Sequence, residues 1–133
     1  MSYFGTTIND SSVIAGESAA ALTDKSFYAV KFDSYGKIAI CSTEGETVLG
    51  LIPAEEGNKA TGDSIAVQIK DIGLMVASAA IAAGAEVMTD ANGKAKTATA
   101  GKFIIGYALK AATAAGDIIP VQISKSGYKP AAN

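Results

Sequence analysis

The sequence predicts a mainly β protein, a single compact domain built from two tandem β repeats rolled as a barrel or tulip-like set of strands, with little helix. Three observations predict it. The phrase Gly62-Asp63-Ser64-Ile65-Ala66-Val67-Gln68-Ile69 returns as Gly116-Asp117-Ile118-Ile119-Pro120-Val121-Gln122-Ile123, so both copies read G-D-x-I-x-V-Q-I. The turn Asp33-Ser34-Tyr35-Gly36-Lys37 returns as Asp90-Ala91-Asn92-Gly93-Lys94. Gly45 and Gly50 return as Gly101 and Gly106, framing an apolar run in each copy. The offset falls from 57 (90 − 33) to 54 (116 − 62), as when loops shorten between elements that persist. The repeats cover about residues 26–73 and 84–127 of a duplicated domain at 16–133, and should superpose by a pseudo-two-fold.

Residues 1–15 precede both repeats; composition alone favours a frayed terminus, and the sharper reading is an N-terminal arm that orders on a partner with Tyr3, Phe4 and Ile8 as anchors. Residues 17–22, ESAAAL, have the composition of a short helix, though under two turns of it. Residues 27–32 alternate as a strand, turn at 33–36 and return as a strand over 37–42. The same hairpin recurs as 86–89, 90–93 and 94–99. An Asp that bonds nearby amides, followed by a Gly that accepts φ > 0, is hairpin chemistry. Residues 45–53 and 101–109 each carry a strand across a central glycine, the mark of a bulge or a close backbone approach. Glu55-Glu56 reads as a solvated pair in a loop.

In the closing phrase, Gly-Asp is a turn signal and the alternating Ile, Val and Ile mark a half-buried strand. Pro120 lacks an N–H, which places the second copy at a sheet edge or bulge there. The Ala-rich run 76–85 has helix propensity, but its place in the repeat predicts extended chain with a turn near Ala83-Gly84.

Composition excludes several kinds of chemistry. The chain has 11 basic and 13 acidic residues, no His and no Trp, and every basic residue is Lys. Without Arg or a basic run, nucleic acid is not an expected partner. Without His, the commonest general base and metal ligand are missing. Cys41 is single and sits on a predicted strand, so it reads as a small core residue. Asp90-x-Asn92-Gly93 resembles the front of a calcium loop, but position 12 of such a loop falls on Gly101 where Glu is needed. No metal, cofactor or enzymatic activity is expected. No apolar run reaches the length of a membrane span, and no secretory signal opens the chain, so a soluble protein made in a reducing cytoplasm is expected.

The paired D-x-x-G-K turns, the strands around Gly50 and Gly106, the Ile81-Ala82-Ala83-Gly84 approach and the closing phrases together resemble the head decoration, or capsid cement, proteins of phages. The resemblance covers about residues 16–123. It implies a small β-rich homotrimer on the outer surface of the virion, bound to the major capsid protein and stabilising the shell. It also implies docking through the N-terminal arm, with Tyr3, Phe4 and Ile8 as capsid-binding anchors. A β-rich receptor- or carbohydrate-binding module of a virion is the alternative, for which the five Tyr and four Phe do not cluster in sequence.

Overall fold

The computed structural model describes residues 11–131, and these contain no helix. Ten strands follow in order: β1 Val13–Glu17, β2 Ala29–Phe32, β3 Ile38–Ile40, β4 Gly50–Leu51, β5 Ser64–Gln68, β6 Asp71–Val76, β7 Glu86–Thr89, β8 Ala95–Thr97, β9 Phe103–Ala108 and β10 Ile118–Tyr128. They form two antiparallel sheets ordered β1-β5-β4-β2-β3 and β6-β10-β9-β7-β8. The second order is the first with five added to every label, so the duplicated sequence folds into duplicated topology. Each sheet curls until its edge strands meet, through the parallel bridges Ser18↔Ile38 and Ala77↔Ala95.

The repeated motifs perform repeated tasks. The Asp33 carboxylate accepts from the amides of Tyr35 (2.8 Å) and Lys37 (2.9 Å), and the Asp90 carboxylate accepts from Asn92 and Lys94 (both 2.8 Å). Asp63 accepts from the Ala60 amide at 2.9 Å, and Asp117 from the amide and hydroxyl of Thr113 at 2.7 and 2.8 Å. Gly50 and Gly106 lie against the backbone carbonyls of Gln68 and Gln122, in the space a Cβ would need. The central glycine of each repeat is therefore there to let the closing strand cross. This pair of motifs, read separately in the sequence, is one contact in space.

Alternation along β5 buries Ile65 and Val67 while Ser64 faces solvent, and β10 buries Ile119, Val121 and Ile123 in the same way. In the first repeat these side chains pack with Val30, Ile38 and Ile52. In the second they pack with Met75, Val87 and Ile105, and that cluster also takes in Ala29, Cys41, Val48 and Leu51 of the first repeat. The shared cluster makes one body of the two repeats. Burying Leu51 alone contributes roughly 1.5–3 kcal/mol.

Five expectations need correction. Residues 17–22 are not helical: Glu17 ends β1, and Leu22 bridges Lys59. So short a segment gains more from cross-strand partners than from a single helical turn. β1 itself begins at Val13, so residues 13–15 pair with residues 66–68 rather than standing apart as arm. β6 is the topological equal of β1, so it opens the second repeat instead of closing the first. Pro120 lies in β10, an inner strand between β6 and β9. Its carbonyl accepts from Leu109, one residue past the end of β9, so the missing N–H falls where the ladder has already stopped; the bulge lies farther on, between Ile123 and Gly127. Glu56 is not merely solvated: it accepts from the Ala66 amide at 2.6 Å and pairs with Lys59 at 3.2 Å.

The run at 76–85 is extended as the repeat predicts, with Ile81 bridging Ala112 and a turn from Ala82 to Ala85. Tertiary pairing outweighs alanine's helix propensity here.

Replacing Gly50 or Gly106 with Ala should cost about 1–3 kcal/mol or more, because backbone, not a flexible side-chain end, must move to admit the methyl group. Urea unfolding of both variants checks this. Losses well under 1 kcal/mol at both sites would mean that the strands do not cross so closely.

Candidate docking surface

The two repeats allow position-by-position comparison of their outer faces. In the first sheet the outward ladder pairs Val13 with Gln68, Ala15 with Ala66 and Glu17 with Ser64. In the second it pairs Ile72 with Gln122, Leu74 with Pro120 and Val76 with Ile118. Small and polar side chains in one repeat are thus replaced by larger apolar ones in the other. Ile72 and Ile118 are 54% and 52% exposed, and Leu74, Tyr107 and Leu109 are also open to solvent. Tyr107 pairs with Gln122, and the Leu109 amide donates to Pro120 O, so the patch is continuous across β6, β10 and β9. None of these side chains carries a charge. Isolated exposed apolar residues are ordinary, whereas a continuous patch marks an interaction surface.

The chain enters the domain beside this patch. The Ile69 amide donates to Ser12 O at 2.9 Å, and β6 with Ile72 begins just past Ile69. The anchors expected from sequence, Tyr3, Phe4 and Ile8, lie outside the described residues. The apolar patch was missed in the sequence. Its one readable signal is the pair of changes Ser64 to Ile118 and Ala66 to Pro120 inside an otherwise matched phrase.

A second concave feature, a groove of about 680 Å³, is lined by Lys31, Phe32, Glu46, Leu49, Phe103 and Tyr128 among others. Phe103 and Tyr128 meet edge to face with centroids 5.7 Å apart, and Thr47 bonds the Tyr128 hydroxyl at 2.7 Å. Aromatic residues far apart in sequence are therefore neighbours here. At the groove's edge the Glu46 carboxylate accepts from the amides of Ser42 (2.7 Å) and Thr43 (2.8 Å) and from Lys31 (3.0 Å). Burial pulls its pKa upward, but the Thr43 amide, Lys31 and the Ser42 amide together outweigh burial and hold it below the ordinary value.

Cys41 is fully buried, and desolvation, reinforced by the Glu46 charge, pushes its thiol up to about 12. It serves as core. Among the described residues no three Cys, Asp or Glu side chains gather in a way that could hold a metal ion.

Two measurements check these assignments. A carboxylate with a depressed folded pKa contributes stability that is complete above its unfolded value of about 4.3 and is lost as pH falls through the folded value. Glu46→Gln should therefore lower stability at pH 7 by about 1–2 kcal/mol, with the gap closing toward pH 3; a gap independent of pH would contradict the assignment. Cys41 should resist a thiol reagent at pH 8 in the folded protein and react fully in denaturant, and rapid native labelling would show it to be accessible.

The base of the head fiber gp8.5 of bacteriophage phi29 superposes with a TM-score of 0.62 at 17% identity, over 88% of this chain and 97% of that one. That likeness is one of fold. No curated protein matches the chain in sequence. The profile of phage cement proteins matches residues 14–123, from β1 into β10, and the chain therefore belongs to the phage cement protein family, a structural component associated with the phage capsid.

Proposed function

We propose that the protein decorates the outer surface of a phage head and reinforces the shell, docking on the major capsid protein through the apolar face of β6, β10 and β9 together with the N-terminal segment. The observation that carries this reading is the contrast between matched positions: Leu74, Val76, Ile118 and Pro120 stand where the first repeat has Ala15, Glu17, Ser64 and Ala66. One fold tolerates both sets, so folding does not require the apolar one. The segment upstream of Ser11 carries Tyr3, Phe4 and Ile8 in its sequence, and Ser12, which follows it, is held by the Ile69 amide close to the start of β6. Such side chains each contribute on the order of 1.5–3 kcal/mol when fully buried.

A protein that binds only the assembled lattice stabilises it by mass action. Joining as a homotrimer would raise the effective concentration of each contact. The proposal includes no catalytic step, no cofactor and no nucleic acid. It places synthesis in the host cytoplasm and the working location on the outside of the virion. The groove beside Phe32 and Tyr128 is the one feature that favours the second reading, a receptor- or carbohydrate-binding module, and glycan-array screening tests it directly.

The main test uses purified phage heads. Deleting residues 1–9, or introducing Leu74→Lys with Ile118→Lys, should leave the melting temperature of the free protein nearly unchanged while reducing head binding at least tenfold. Both positions are exposed, so the fold has room for lysine. Unaltered binding by both variants would remove this face and the N-terminal segment from the docking surface.

A further inference from the structure

We propose that copies of this chain join head to tail, the hairpin turn at residues 33–37 of one copy seating on the second repeat of the next. The inference deepens the self-association reading above by naming its surfaces, and it starts from how the two repeats meet within one chain. The second repeat's turn docks on the first repeat: the Ala29 amide donates to Gly93 O at 2.7 Å, and the Gly45 amide donates to Thr89 O at 2.8 Å. Gly93 is pressed against Ile40 and the Ala29 carbonyl, and Lys96 reaches Glu44 at 2.7 Å. Ala91 and Asn92 border a crevice with Ala20, Ala21, Ile40 and Ser42.

Among the described residues there is no reciprocal contact. A Cβ at Gly36, the counterpart of Gly93, would meet none of their atoms within 4 Å. Tyr35 is 85% exposed, and Phe32, the counterpart of fully buried Thr89, is 52% exposed. The expected pseudo-two-fold is therefore not what relates the copies, since a two-fold would repeat every contact in both directions. The repeats meet heterologously, and such a contact leaves complementary halves unused at opposite ends.

Both unused halves are visible. One is the turn with Phe32 and Tyr35. The other is the seat on the second repeat, where Ala79, Ala80, Thr97 and Thr99 match the crevice residues Ala20, Ala21, Ile40 and Ser42 and are all exposed. Part of this seat is already occupied. The Gly101 amide donates to Lys129 O at 2.8 Å, as the Gly45 amide does to Thr89 O, and Lys129 also pairs with Glu86. The chain's own C-terminal segment thus meets the backbone need at Gly101 and leaves the neighbouring crevice for Tyr35 of another copy. The occupant is a second copy because the same chain already makes this contact with itself, repeat to repeat.

Single-cysteine variants Tyr35→Cys and Thr97→Cys test the contact, since buried Cys41 does not compete for the reagent. The two proteins are mixed in equal amounts and treated with a short bis-maleimide, both free in solution and bound to phage heads. The expected result is a covalent dimer from the mixture, in at least one of these states, and little from either variant alone. No excess in the mixture in either state overturns the proposal. So does equal cross-linking of Tyr35→Cys by itself, which would mean a turn-to-turn contact. Binding to heads without cross-linking would sink this contact and leave the capsid reading standing; cross-linking of a protein that never binds heads would do the reverse.

Discussion

A carbonyl oxygen where a side chain would otherwise sit is the constraint from which much of this architecture follows. Gln68 O occupies that space at Gly50, and Gln122 O occupies it at Gly106. With the closing strand drawn so tightly over its neighbour, each sheet bends until its outer strands touch through a single parallel bridge. The interior left is narrow, and it is filled mainly by Val, Ile, Ala and Met, with Phe103 the one buried aromatic side chain among the described residues. A composition low in aromatic residues and rich in Ala is what such a thin core accepts.

Acidic side chains in this protein serve as loop fasteners. Asp33, Asp90, Asp63, Asp117 and Glu46 each accept from backbone amides in their own turns, while Glu56 does the same across a longer loop. A carboxylate is a strong acceptor for amides that strand pairing leaves over, and a short-stranded protein has many of these. The carboxylates most readily suspected of chemistry are thus engaged in holding the backbone. That use suits a structural component of a phage particle.

Duplication supplies an internal control that a single-copy domain lacks. Where the copies agree, as at the turns, the crossing glycines and the closing phrase, the shared residues serve the fold. Where they differ, the difference points to surroundings. Gln68 donates to Lys70 O and Ile72 O and so clasps the start of the second repeat, whereas Gln122 faces outward beside Tyr107. Leu51 is buried because Gly73 of the second repeat lies on it, and its counterpart Tyr107 stays partly open. Asymmetry between equal folds is therefore the record of what each repeat touches.

The sequence by itself determined the class, the duplication, the turns and the strand faces. These rest on local rules: alternation of period two, Asp and Gly at fixed turn positions, and glycine where backbones approach. It also carried the family resemblance, which is a pattern of spacings. Tertiary structure decided what depends on partners distant in the chain. Residues 17–22 lost their helix to a bridge at Lys59, and Pro120 entered an inner strand because β9 had already ended beside it. The β6 strand moved to the second repeat because its partner is β10. The apolar face, too, became visible only when Ile72, Leu74, Leu109 and Ile118, from three separate segments, were brought onto one surface. A periodicity shows that a residue faces outward, but which neighbours share that face is set by strand order, and strand order is not written in any local stretch.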